Sequence, residues 1–510
     1  MAKIRWISAL LLTLCILYTF YALSTASVAE SGQRQGHPIQ RTAAGYERIH
    51  DEDNQQNDQH AENQRNRPKQ INGEPYPRLA ENGKFVPIRR WVHIDLKGGP
   101  YKPAYFMQLL PFFKRLGING ILLEWEDMFP YSGKLASAAN GDAYTLEQVD
   151  RILETAKAQD FEIVPLVQTF GHLEWILKLE DFAHLREDPR FPQVICLGST
   201  QTWELLTEMI TQVGRVHQKH GLNFFHMGAD EVFQLGVCND TIREIQKQGI
   251  LLKKSYGVSV MAWHDMFSHV TEQELLTYNM TEVVEPVLWS YAEDLDQYLP
   301  YSTWLSLKPF KKVWGSAAFK GADGPMRFSS NPVHYIRNHE SWINQMNRVY
   351  REFDYFQGLI MAGWSRYDHL AILCELLPVG LPSLAMSIET IMEGRPMKGN
   401  YPRTYEILDC QLPSEPGYVF GCKFPGHRIY ELVNEYETQR TQIQRHISTD
   451  YEFNGWLSRI AEKYKFSSAM YIEKIAPYLD YYLEPLERLE KDLRSEMAKH
   501  FFRKPSMSSC

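Results

Sequence analysis

The chain has 510 residues, 44% of them hydrophobic and 23% charged, with a formal net charge of −8. That composition excludes a chain disordered throughout, a collagen and a coiled-coil rod, and the acidic balance offers nothing global to draw the protein to nucleic acid. At roughly 100–200 residues per domain, the length accommodates two to four domains or one large barrel with additions.

Lys3 and Arg5 precede an uncharged apolar run of 17 residues, Ile7 to Leu23. A basic flank before such a run marks a signal peptide or a membrane anchor, and this length lies between the two. Ser27-Val28-Ala29 is an acceptable cleavage site. The basic side faces the cytosol and the bulk of the chain the lumen. Residues 1–30 therefore read as a signal anchor or signal peptide. Residues 31–85 read as a flexible stem, because 31–75 hold eight Gln and five Asn and almost no large apolar side chain. Such a stretch buries too little to offset its ordering entropy.

Seven cysteines are present, one of them, Cys15, in the apolar run. The others show no metal-type CxxC spacing. Cys410 and Cys422, around Pro413 and Pro416, are paired here as a disulfide. Two N-glycosylation sequons start at Asn239 and Asn279, about as many as chance supplies in this length.

From residue 88 strand-like and helix-like segments alternate. Strands are expected at 90–96, 119–125, 161–168, 222–228, 259–263, 283–289, 311–316 and 358–362. Helices are expected at 103–116, 145–159, 201–220, 240–256, 294–307 and 332–353, with a weaker one at 271–280. Thr145 with Gln148 three residues on is a capping-box signature, and Gly117 closes the first helix. Eight strand–helix units imply parallel strands with right-handed crossovers, hence an α/β fold, a (β/α)8 barrel over residues 86–400. An open doubly wound sheet would carry a glycine-rich phosphate loop after its first strand, and Gly98-Gly99-Pro100 has the wrong spacing. Residues 401–510 read as a helical C-terminal extension, with long charged stretches at 426–446 and 455–500.

Active sites of such barrels lie at the C-terminal strand ends. There the sequence places His93 and Asp95, then Glu124-Trp125-Glu126-Asp127, then Thr169 to Glu174, then His226 to Glu231. Further on come Trp263-His264-Asp265, Trp289-Ser290-Tyr291, Trp314, and Trp364 to Asp368. Paired carboxylates suit acid–base work on glycosides, and tryptophan faces suit sugar rings.

His226-Met227-Gly228-Ala229-Asp230-Glu231 resembles the H-x-G-x-D-E motif of family 20 β-N-acetylhexosaminidases. Phe170-Gly171-His172 resembles that family's P-G-H, with Phe for Pro, and Phe129-Pro130-Tyr131 follows the second strand's acids as in the family. The segments 92–98, 123–127 and 364–369 look closest to the hexosaminidase D branch. The resemblance covers about residues 88–400. The small α/β domain that precedes the barrel in lysosomal members has no counterpart in 31–85.

The resemblance implies exo-acting hydrolysis of terminal N-acetylgalactosamine or N-acetylglucosamine, with retention, in which the substrate's 2-acetamido oxygen attacks C1. Glu231 is then general acid and base, and Asp230 orients and stabilises the acetamido group. Both face the substrate only if the strand has ended and the chain turns at Gly228-Ala229, since neighbours on a strand point opposite ways. Tyr291 would hold the acetamido oxygen. Trp263, Trp289 and Trp364 would wall the sugar. Arg90, five residues before Asp95 as in the family, would bind the 3- and 4-hydroxyls, and His172 with Glu126 would support Asp230. Where many members place a Glu after the eighth strand's Trp, this chain has Arg366, with Asp368 two further on. The branch's preference for galactosaminides is the expectation here.

No cofactor and no metal ion is expected. Two other classes stay open: a metal-dependent barrel hydrolase built on His93, Asp95, His172, His226 and His264, and a non-catalytic N-acetylhexosamine-binding barrel. The partners expected are N-acetylhexosamine-terminated glycoconjugates and a membrane, through the apolar segment; a homodimer is left open. The location expected is the secretory pathway, as a Golgi-like type II membrane protein or a secreted one. The alternative is cytoplasm or nucleus, as for other members of the branch.

Overall fold

Eight parallel strands close into a barrel in the computed structural model, which describes residues 69–232, 241–268, 270–411, 419–456 and 458–502. The strands are β1 (Arg89–Asp95), β2 (Gly120–Glu124), β3 (Glu162–Leu166), β4 (Phe224–His226), β5 (Ser259–Trp263), β6 (Val284–Trp289), β7 (Lys312–Lys320) and β8 (Tyr355–Gly363). Each pairs with its sequence neighbour, and β8 pairs with β1. The crossovers are α1 (Pro103–Leu116), α2 (Leu146–Ala158), α3 (Thr200–Gln218), α4 (Thr241–Tyr256), α5 (Glu272–Thr277), α6 (Tyr301–Ser306) and α7 (Pro332–Val349). An eighth helix, α8 (Leu377–Glu393), follows β8.

Local signals account for the boundaries. Pro103 opens α1, where a missing N–H costs nothing, and Gly117 closes it in the left-handed region at φ 95°. Both halves of the Thr145–Gln148 capping box form at α2. The single helix expected over 294–307 is instead two, Leu295–Tyr298 and α6, because Pro300 between them has no N–H to donate.

Side-chain alternation sorts the strands into two cores. Trp91, Leu122, Val164, Leu166, Phe224, Met261, Trp263, Val287, Trp314 and Ile360 fill the barrel. Val92, Ile94, Ile121, Leu123, Val260 and Leu359 face the helices. Trp314, read from sequence as a strand end, lies inside the barrel because β7 runs on to Lys320; its indole donates to Glu285 at 2.8 Å.

The stem reading of 31–85 is corrected over its last part. A hairpin pairs Gln70–Ile71 with Glu74–Pro75, and Ile71 and Phe85 are buried. Asn72 accepts from Arg89 at 2.7 Å, so this segment is tied to the barrel's N-terminal end. The anchor reading of residues 1–30 and the rest of the stem lie outside the described residues. Among the described residues, no helix is long and apolar enough to cross a membrane.

Beyond the barrel come α9 (His427–Thr449) and α10 (Ala469–His500), with short helices between them. Cys410 and Cys422 form the expected disulfide, and Cys196 is also disulfide-bonded. The end of α10 is fastened to the loop after β1. Lys102 N donates to His500 O at 2.8 Å, Phe502 N donates to Pro100 O at 3.2 Å, and Tyr101 pairs with Phe501.

Candidate active site

A pocket of about 230 Å³ opens at the C-terminal ends of the strands. The turn after β4 supplies its acids. Gly228, Ala229 and Glu231 have φ of 67°, 65° and 48°, so the chain coils where the strand stops. Asp230 and Glu231 thereby both reach the pocket. A Cβ at 228 would lie 1.9 Å from the end of the Gln168 side chain in a left-handed backbone that favours glycine, and at 171, where a Cβ would lie 2.2 Å from the Asp230 backbone carbonyl, only glycine fits. Ala229 and Glu231 have no such freedom, and each left-handed residue costs roughly 1–2 kcal/mol.

His172, at φ 53°, points Nε2 at both acids, 3.3 Å from Asp230 Oδ2 and 3.3 Å from Glu231 Oε2. Burial opposes its charge, but the Asp230 carboxylate beside it and hydrogen bonds to both acids hold the imidazole well above its ordinary value. The other Asp230 oxygen, Oδ1, is buried with no partner, whereas the Glu231 side chain is 39% exposed. Asp265, at the end of β5, accepts from Glu231 N at 2.7 Å and from Trp289 Nε1 at 3.0 Å. Burial and the Asp230 charge push its carboxyl up to about 6.

Trp263, Trp289, Trp364 and Tyr291 line one side. Trp364 Nε1 donates to Tyr291 Oη at 3.2 Å, which leaves the phenol's own proton to donate elsewhere. Burial raises the Tyr291 phenol, so it stays protonated.

The floor holds a cation that the sequence reading left unassigned. Lys97 Nζ lies 2.8 Å from Asp95 Oδ2, 3.6 Å from Glu126 Oε1 and 3.8 Å from Glu124 Oε1, under the Trp364 ring at 4.9 Å. His93 Nδ1 accepts from Gly363 N at 3.3 Å, so its Nε2–H donates to Glu124 at 2.8 Å. Burial pushes Glu124 well up, whereas Glu126, although buried, is drawn down by Lys97 and His369. His369 Nε2 bonds Glu126, and its Nδ1 accepts from Arg366 at 2.7 Å and Lys178 at 3.2 Å.

The expected residues therefore divide. Glu231, Asp230, Tyr291, the three tryptophans, His172, Glu126, Arg366 and Asp368 line the pocket. Glu126 does so with Lys97 and His369 as partners, not with His172 or Asp230 as expected. Asp368 also folds its own loop, accepting from Leu370 N and Ala371 N at 2.6 and 2.8 Å.

Arg90 is the correction. It sits at the start of β1, the far end of the barrel, facing the helices like Val92 and Ile94. Its guanidinium donates to the carbonyls of Pro87, Ile88 and Gly117 at 2.7–2.9 Å. An odd offset of five from the inward-facing Asp95 puts it on the opposite face of a regular strand. Replacing Arg90 with Met is expected to lower Tm while leaving KM and kcat of the folded protein unchanged. A raised KM would return Arg90 to the sugar site.

Lys97, by contrast, shares the parity of Asp95 and could have been found from it. Glu124 and Glu174, expected at the strand ends without a role, also line the pocket, as do Gln168 and His369, which no spacing rule singles out. Burial raises Glu174 from the ordinary 4.5 to about 7, with His172 pulling the other way. Its folded form thus resists ionisation, and stability falls as pH rises from 4.5 through 7, by about 3 kcal/mol at 1.4 kcal/mol per unit. Glu174→Gln is expected to remove that decline. Tm measured at pH 5 and pH 8 checks it, and an unchanged decline refutes it.

His226 and His264, named for a metal site, are buried and pushed down to about 3 and about 4. Their Nδ1 atoms accept from Gly228 N at 3.0 Å and Trp289 N at 3.4 Å. Among the described residues, no group of three or more His, Cys, Asp or Glu side chains could hold a metal ion.

The glycosyl hydrolase family 20 catalytic domain matches residues 74–302. Hexosaminidase D of Homo sapiens is 32% identical over 436 residues, covering 81% of this chain and 88% of the relative. Hexosaminidase D of Bos taurus is 39% identical over 327 residues, 60% of this chain and 92% of the relative. Among solved structures, the family 20 β-N-acetylhexosaminidase of Streptomyces coelicolor aligns with a TM-score of 0.46 at 13% identity, covering 65% of this chain and 72% of that one.

Proposed function

The chain belongs to glycosyl hydrolase family 20, and from that premise we propose how its pocket hydrolyses terminal β-linked N-acetylhexosamines. The supporting observation is the asymmetry of two adjacent acids, with Asp230 Oδ1 buried and unpartnered while the Glu231 carboxyl is open to solvent. Glu231 protonates the glycosidic oxygen. The substrate's acetamido oxygen attacks C1 from the opposite face, held by the Tyr291 hydroxyl, and the C1–O bond breaks. Asp230 Oδ1 accepts the acetamido N–H as positive charge develops there, so its charge acts chiefly in the transition state. Glu231, now ionised, takes a proton from water, which opens the oxazolinium ring with net retention.

Trp263, Trp289 and Trp364 enclose the acetamido methyl and the ring. Lys97 takes the hydroxyl-binding role expected of Arg90, and Arg366 and Asp368 stand at the 4- and 6-hydroxyl end. The substrates are glycoconjugates ending in N-acetylgalactosamine or N-acetylglucosamine, with the galactosaminide preferred. The compartment proposed is the secretory pathway. The apolar run 7–23 supports it, as does the Cys410–Cys422 disulfide, since cytosolic thiols are kept reduced.

The test is release of 4-nitrophenol from β-glycosides of the two sugars by the full chain, with a thiazoline analogue of the oxazolinium as inhibitor. Turnover blocked by the analogue supports substrate assistance. Binding without turnover would favour a sugar-binding barrel. A glucosaminide kcat/KM more than about tenfold the greater, some 1.4 kcal/mol in transition-state binding, would reverse the preference.

A further inference from the structure

We propose that Asp265 is a positioning residue that sets the proton donor and the acetamido wall relative to one another; this rests on the assignment of Glu231 as that donor. The two oxygens of one carboxylate are divided between two parts of the pocket. Oδ2 accepts the backbone N–H of Glu231 at 2.7 Å, and Oδ1 accepts the indole N–H of Trp289 at 3.0 Å.

Each bond acts on a group that shapes the pocket. Glu231 follows a turn of left-handed residues, 228 and 229, and is itself left-handed without being glycine. Such a backbone persists only where its surroundings hold it. Asp265 does so from the turn after β5. Trp289, half-buried, packs on the barrel interior and against Tyr291 at 5.3 Å and His264 at 6.3 Å, and the bond to Asp265 sets the direction of its indole N–H. Both donors are N–H groups that cannot accept, so both require an acceptor. A carboxylate of this length offers two, whereas Asn offers one acceptor and turns an N–H toward the other donor. Asp265 thus links the backbone of the proton donor to the acetamido cradle through one side chain, while His172 meets the Glu231 carboxyl itself.

The predicted signature separates this role from a merely structural one. Asp265→Asn in the full chain is assayed on phenyl and 2,4-dinitrophenyl β-glycosides of the sugar the wild type cleaves faster. The phenyl group needs protonation to leave, and the dinitrophenyl group scarcely does. Expected is a fall in kcat/KM, which reports the first step alone, of about 30-fold on the phenyl glycoside and under about threefold on the dinitrophenyl one. Equal losses on the two, or none, would overturn the inference. Trp289→Phe keeps a ring and deletes its N–H, so it releases Oδ1 alone. It is expected to give a smaller leaving-group-dependent loss, less than additive with Asp265→Asn. Full additivity, or an unchanged phenyl-to-dinitrophenyl ratio in Trp289→Phe, would also overturn it, and the latter serves if Asp265→Asn does not fold. A wild type that cleaves neither glycoside defeats the proposed function and this inference with it, whereas a working wild type with an undiminished Asp265→Asn defeats the inference alone.

Discussion

Glu231→Gln is expected to lower kcat/KM on phenyl and saccharide β-N-acetylhexosaminides by about 10²–10⁴-fold, the range general acid catalysis spans. Gln keeps the length and the backbone hydrogen bond to Asp265, and it still offers an amide to His172. What it loses is a proton that can be given and retrieved. The loss is therefore expected to collapse for dinitrophenyl leaving groups in the first step and to persist in the second, where water must be deprotonated. Burst kinetics reveal this split as a fast release of dinitrophenol followed by a slow steady state. Activity within threefold of wild type on the phenyl glycoside would remove Glu231 from the acid role.

Asp230→Ala carries the second large effect, about 10²–10³-fold in kcat with a smaller change in KM, as for removal of one preorganised electrostatic partner of a developing charge. Oδ1 is buried beside the pocket and has no hydrogen-bond partner, so it is free to accept the acetamido N–H as that group acquires charge. The thiazoline analogue should weaken by a factor comparable to the loss in rate, because it presents the same charged ring. Weakening of the substrate alone, with the analogue still tight, would show that Asp230 acts on ground-state binding.

Much of the barrel is legible because its signals are local. The β5 range matches the reading residue for residue, Pro103 and Gly117 bracket α1, and Thr145 with Gln148 caps α2. The turn that lets two adjacent acids share one pocket was also anticipated, since a regular strand could not present both. The failures are non-local. Trp314 looked like a strand end because β7 loses its apolar pattern at Ser316 and Lys320, residues buried by contacts far along the chain. Motif spacing puts Arg90 at the sugar, whereas strand parity puts it on the opposite face. Lys97, Glu126 and His369 meet only when β1, β2 and the loop after β8 close together, and no spacing in the sequence encodes that contact. In the sequence Asp265 is only part of a strand end, since its task is defined by the indole and backbone N–H groups it joins.

The fastening of α10 to the loop after β1 has a thermodynamic consequence. Residues 100–102 of that loop exchange backbone hydrogen bonds with His500 and Phe502, and a few residues upstream the same loop carries Lys97 into the pocket floor. If sugar bound at Lys97 orders this loop, it also favours the docked state of the helix end, and by reciprocity the docked end then raises affinity for sugar by the same factor. Fraying of the last turn of α10 and occupancy of the pocket become opposed equilibria. A change some four hundred residues away in sequence is then felt as a change in Kd, without any side chain of α10 meeting the substrate.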